Sequence, residues 1–75
     1  MLEVKKGKYI HYKGKEYEVI GTARHSETLE ELVVYKALYY SKEFGSNCLW
    51  VRPKGMFLEE VEVKGEKVER FKFIK

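Results

Sequence analysis

A chain of 75 residues, 44% apolar and 15% aromatic, has room for one small domain over residues 1–75, because at this length only about 60% of the unfolded surface is buried. Fifteen Lys and Arg against twelve Asp and Glu leave a net charge of +3, a mixed-sign surface that serves solubility. The lone Cys48 excludes an internal disulfide and suits a reducing compartment. No apolar run nears the roughly 20 residues of a membrane span, and Met1–Lys8 lacks the apolar segment of a signal peptide. A soluble cytoplasmic protein is expected.

The amino-terminal stretch is the most basic part. Residues 1–15 hold Lys5, Lys6, Lys8, Lys13 and Lys15 against Glu3 alone. Within it, Lys8–Tyr12 and Glu16–Ile20 are β-rich runs separated by Lys13-Gly14-Lys15, the signature of a hairpin in which Gly14 takes a positive φ. In the second run Tyr17 and Val19 alternate with Glu16 and Glu18, which sends the former inward and the latter to water. Gly21 interrupts the alternation and predicts a bulge or bend, with Thr22–His25 continuing past it.

Ser26–Glu31 is polar and reads as a loop. Leu32–Tyr40 admits two readings: a helix with Leu29, Leu32, Val33, Ala37 and Tyr40 on one side, or a strand with Val33, Tyr35, Ala37 and Tyr39 on one face. Two valines and three tyrosines in these nine residues favour the strand. Ser41–Asn47 is a polar connection containing Gly45. Cys48–Arg52 is a short strand that Pro53 should end, and Pro53–Phe57 is a turn, with room for one turn of 3₁₀-helix. Val61 and Val63, joined through Lys64–Lys67 to Val68, Phe71 and Phe73, read as a second hairpin with an inward apolar face. Five or six short antiparallel strands linked by tight turns describe a mainly β protein, a small SH3-like barrel.

Three stretches also carry a resemblance to a known family: Tyr12–Val19, Ala23–Tyr35, and Leu49–Pro53 with Met56-Phe57. They resemble the small bacterial family called domain of unknown function 1653, over about Lys8 to Phe73. The resemblance implies an SH3-like barrel and brings no activity, cofactor or catalytic residue with it. The Lys42–Cys48 connection departs from the shorter, Gly- and Asp-rich turn expected of that family.

The chemistry-bearing side chains are few. His25, after Arg24, opens a polar loop of the kind that carries functional groups; as a structural residue it would bond the adjacent turn. His25, Ser26 and Glu27 are consecutive, so alternate side chains diverge and no triad is expected. Cys48, His11 and His25 show none of the paired spacing of a zinc site, and the isolated glycines form no phosphate loop, so neither a metal nor another cofactor is expected. Without a defensible acid, base and nucleophile, the chain does not read as an enzyme.

Binding is the better reading. Trp50 and Arg52 share one side of their strand and Leu49 and Val51 the other. With Leu49 and Val51 in the core, Trp50 and Arg52 would be displayed together as an anchor for a protein or peptide; with Trp50 in the core, that surface disappears. Tyr39, with Tyr9, Tyr12, Tyr35 and Tyr40, adds aromatic surface, at least half of it expected in the core. The candidate binding residues are therefore Trp50, Arg52, His25, Arg24 and Tyr39. Nucleic-acid binding through the five amino-terminal lysines is the alternative, weakened by a pI of only about 9.0.

Overall fold

A computed structural model describes residues 4–75; Met1–Glu3, part of the expected 1–75 domain, lie outside the described residues. Nine strands and one helical turn follow in chain order: β1 (Gly7–His11), β2 (Glu16–Arg24), β3 (Glu31–Ala37), β4 (Tyr40–Ser41), β5 (Gly45–Ser46), β6 (Leu49–Pro53), α1 (Lys54–Phe57), β7 (Glu60–Val63), β8 (Glu66–Glu69) and β9 (Phe71–Phe73). Five of them form an antiparallel sheet in the order β6-β3-β2-β1-β9, while β4-β5 and β7-β8 are separate two-stranded ribbons. The protein is thus mainly β and antiparallel. The main sheet does not close into a barrel: β6 and β9 are its two edges. It curls strongly all the same, since the Arg52 guanidinium on β6 lies 5.6 Å from the centre of the Phe71 ring on β9.

The first hairpin forms as the alternation dictates. β1 and β2 pair with Tyr9 opposite Tyr17, and Gly14 in the turn has φ +101°. The β2–β3 ladder slips between Val19 and Gly21: Val19 faces Tyr35, Gly21 faces Val34 and Thr22 faces Val33, leaving Ile20 as the extra residue of a bulge. Past the bulge β2 runs on to Arg24, as Gly21 predicts. β3 is a strand, with Val33, Tyr35 and Ala37 buried along one face, and it stops at Ala37, short of Tyr39 and Tyr40.

The remaining differences have physical causes. β6 extends one residue beyond Arg52, because Pro53 sits opposite Leu32 where the ladder demands no amide donor. The Ala37 amide donates to the Cys48 carbonyl at 2.8 Å, and hydrogen-bonded pairs alternate in an antiparallel ladder, so the bonded pairs are Ala37/Cys48, Tyr35/Trp50 and Val33/Arg52. Pro53–Phe57 contains an α-helical turn in place of 3₁₀. The polar Ser41–Asn47 connection belongs to the small β4–β5 ribbon. The carboxy-terminal hairpin divides in two: Val61 pairs with Val68 across β7–β8, whereas Phe71–Phe73 leaves that ribbon and pairs with β1.

Aromatic packing fills the interior. Tyr9, Val19, Val33, Tyr35, Phe57 and Phe71 form the buried cluster. Phe57 from the helical turn stacks on Phe71, centroids 4.3 Å apart and planes 5° from parallel, and meets Tyr9 edge-on at 5.4 Å. Of the five tyrosines proposed as surface, Tyr9 and Tyr35 are buried, Tyr39 is half-buried, and Tyr12 and Tyr40 are exposed.

Candidate functional site

Residues directly opposite in an antiparallel pair share a face, so the partners of Trp50 and Arg52 fix where these side chains go. Trp50 lies opposite Tyr35 and Arg52 opposite Val33, both buried. Trp50 and Arg52 therefore stand on the inner side of the curled sheet, at its rim, and Leu49 and Val51 face outward at 60% and 59% exposure. This reverses the arrangement in which Leu49 and Val51 are core. Trp50 is not a core residue either, being 37% exposed.

The rim position still brings three of the predicted binding residues together. Tyr17, Tyr35, Tyr39, Trp50 and Arg52 line a shallow pocket of about 210 Å³. Its floor is ordered by hydrogen bonds: the Tyr17 and Tyr39 hydroxyls are 2.7 Å apart, and Arg52 Nε donates to the Tyr35 hydroxyl at 3.3 Å. The Tyr17 ring packs edge-on against Tyr35 at 5.3 Å and Tyr39 at 5.5 Å. Lys15 Nζ lies 4.8 Å from the centre of the Tyr39 ring, and Phe44 from the β4–β5 ribbon packs edge-on against Trp50 at 5.3 Å. Burial, then the bond to Tyr39, push the Tyr17 phenol well above its ordinary range, so it stays a neutral hydroxyl.

This arrangement offers donors and flat apolar walls. Arg52 spends Nε on Tyr35 and has further N–H groups in the same planar fork. The adjoining hydroxyls donate or accept, and Lys15 adds positive charge. The pocket has the size of one side chain, below the usual volume of small-molecule sites.

Arg24 and His25 are not part of it. They stand at the far end of the β2–β3 hairpin and are occupied by their own turn. His25 Nδ1 accepts from the Glu27 amide at 3.2 Å and the Thr28 amide at 3.4 Å, while Arg24 Nη1 donates to the Leu29 carbonyl at 2.9 Å. Their place outside the pocket has a simple cause: Leu29 has φ +63°, and the tight turn around it takes stabilising bonds from these two side chains. The Cys48 thiol, half-buried, points at the Leu49 carbonyl, 3.6 Å away.

The amino-terminal lysines are dispersed. Lys5 Nζ sits over Phe73 at 5.3 Å and Lys13 over Tyr12 at 5.9 Å, Lys8 faces Glu16 at 3.7 Å, and Lys15 alone borders the pocket. Sequence reasoning missed Tyr17 as a pocket residue and named Tyr35 only among the general aromatic surface. Alternation marks both as interior without showing that Ala37, small and opposite Tyr17, leaves room beside them.

A larger concavity of about 560 Å³ separates the β7–β8 ribbon from the β1–β2 turn and β9, with Ile10, His11, Tyr12 and Val68 along its walls. Glu60, Lys67, Glu69 and Lys72 line it with charges of both signs. His11 faces this space with a pKa below its ordinary value, lowered by burial and then by Arg52, Arg70 and Lys13.

The comparisons with known proteins agree with this architecture. The family model described as protein of unknown function DUF1653 matches residues 7–73. A crystal structure of a DUF1653 protein from Bordetella bronchiseptica superposes with a TM-score of 0.85 at 32% identity, covering 96% of this chain and 88% of that one. No curated relative matches at a significant level.

Proposed function

Since the chain belongs to the DUF1653 family, defined so far by its sequence and fold, we propose a function from the geometry: a non-catalytic interaction module whose rim pocket receives one acceptor-bearing side chain, an Asp or Glu, from a peptide or protein partner. The observation that carries this reading is the convergence of Trp50, Arg52 and three tyrosines on a cavity of side-chain size. Trp, Tyr and Arg are the residues that dominate interaction hot spots, and a guanidinium fork matches a carboxylate. The SH3-like barrel belongs to the same reading. It is supported by the curl that carries Arg52 across to Phe71, and since a fold does not select a function, the reading rests on the pocket. The single thiol, with no second cysteine to form an internal disulfide, supports a reducing, cytoplasmic setting.

A titration followed by NMR tests the proposal. A short Glu-containing peptide should shift the Trp50 indole and Tyr39 ring signals saturably, its Gln counterpart should act more weakly, and Arg52→Met should abolish the difference. Shifts that spare these signals, or that are equal for both peptides, would remove the pocket from consideration. Nucleic acid is the weaker reading because four of the five lysines, Lys5, Lys8, Lys13 and Lys15, are spread over separate contacts; single-stranded RNA and DNA at low salt are the control.

A further inference from the structure

The two edges of the main sheet are built differently. β9 is three residues long and carries Lys72 on its outer face, opposite Ile10, a charge of the kind that discourages edge-to-edge pairing. β6 carries no charge on its outer face, where Leu49 and Val51 are more than half exposed, and Pro53 blocks pairing only at its last position.

The ladder also fixes which backbone groups β6 leaves free. Trp50 and Arg52 spend their N–H and C=O groups on Tyr35 and Val33, so Leu49 and Val51 turn theirs away from β3. Among the described residues no other backbone bond reaches Leu49 or Val51, and the Leu49 carbonyl, which takes the Cys48 thiol at 3.6 Å, keeps a second lone pair for a strand partner. At the next outward position Pro53 supplies no donor. The free edge is therefore two donors and two acceptors, placed symmetrically about Trp50.

From this symmetry we infer that β6 pairs antiparallel with β6 of a second copy of the chain, about a two-fold axis through Trp50. In that register Leu49 of each copy faces Val51 of the other and exchanges both backbone bonds with it, which satisfies all four free groups on each side. The facing surfaces match as well. Along the outer face the row Glu18–Lys36–Leu49 continues into Val51–Val34–Gly21 of the second copy, and the two-fold repeats it in reverse. The apolar centre gains partners, and Lys36 at its border is already neutralised by Glu18 at 3.4 Å. On the inner face Trp50 meets Trp50 and Arg52 lies opposite Cys48, so no like charges oppose one another in the ladder. This is the self-complementary patch that an isologous dimer needs, and it forms one continuous ten-stranded sheet.

Sedimentation equilibrium from micromolar to millimolar protein tests the inference, with hydrogen exchange as a second readout. The expected result is a reversible dimer in which the Leu49 and Val51 amides are protected at high concentration and exposed on dilution, while those of Trp50 and Arg52 do not change. Val51→Pro removes an outward amide and should weaken association by at least about tenfold with the circular dichroism spectrum unchanged. Should that variant fail to fold, Val51→Lys keeps the amide and places two added charges in the apolar centre, with the same expected loss. The register has its own check. In a Cys48→Ser background, Trp50→Cys should form an intermolecular disulfide on mild oxidation, because directly opposed non-bonded residues approach to about 4.5 Å between Cα atoms. Leu49→Cys, facing Val51, should not. A monomer at every concentration with freely exchanging Leu49 and Val51 amides overturns the inference and leaves the edge to a foreign strand. A dimer that survives both Val51 variants also overturns it.

Discussion

Replacing Phe57 with alanine should remove a large share of this protein's stability, although Phe57 comes from a connection and not from a strand of the sheet. Its side chain is 1% exposed, stacked on Phe71 and in edge contact with Tyr9. Truncating a buried Phe costs about 3–5 kcal/mol through lost transfer energy and the cavity left behind. A domain of this length has only about 4–11 kcal/mol of stability to lose. The unfolding temperature should fall by more than about 12 °C, as a domain this small loses roughly 4–8 °C per kcal/mol. Phe57→Leu keeps most of the volume and forfeits the ring stacking, so about 1–2 kcal/mol is expected. Met56→Ala, on the same turn but 48% exposed, should stay within about 0.5 kcal/mol of the parent. Urea unfolding followed by near-ultraviolet circular dichroism and Trp50 fluorescence measures all three. A Phe57→Ala protein within about 1 kcal/mol of the parent, with the same denaturant slope, would refute the claim that the helical turn supplies the centre of the core.

Two further predictions concern pH and backbone strain. Tyr17 and Tyr9 both have raised phenol pKa values. The unfolded chain gives up these protons near pH 10 while the folded one holds them, so stability should fall as pH rises above about 10, with a shallower fall in Tyr17→Phe. His11 is lowered from 6.5, so the unfolded state takes up its proton first and stability should also fall as pH drops below about 6.5, less so in His11→Gln; urea midpoints across the range read both flanks. Gly7 has φ +137°, and a Cβ there would come within 2.8 Å of the Lys75 carbonyl oxygen, so Gly7→Ala should cost about 1–3 kcal/mol. At Gly55, in α1 with open space around it, alanine should gain up to about 1 kcal/mol. Thermal melts of the two variants should move in opposite directions.

Where alternation was clean, the sequence was readable. Tyr17 and Val19 against Glu16 and Glu18 fixed the faces of β2, and branched and aromatic residues identified β3 as a strand. β6 was not readable in this way, because Leu49, Trp50 and Val51 are all apolar and Arg52 can bury its stem while its head reaches polar partners. Only the ladder with β3 decides which pair faces inward, and that pairing is non-local. The pocket was half legible for the same reason: Trp50, Arg52 and Tyr39 could be named, but their meeting with Tyr17 and Tyr35 depends on the curl of the sheet. His25 and Arg24 misled because a polar loop opening with histidine looks the same whether the side chain serves a ligand or its own turn. The carboxy-terminal hairpin failed at Arg70, where the chain leaves β8 for the main sheet without a glycine or proline to mark the change.

The bulge at Ile20 works as a change of phase. Before it the odd-numbered residues of β2, Tyr17 and Val19, serve the interior; after it the even-numbered Thr22 takes the same side, opposite Val33, while remaining exposed. Deleting Ile20 would leave Thr22 two residues past Val19 and still opposite Val33, so the ladder would close as a regular one. The extra residue adds bend and twist to β2 without changing which residues face β3. What its loss would alter is the curl of the sheet.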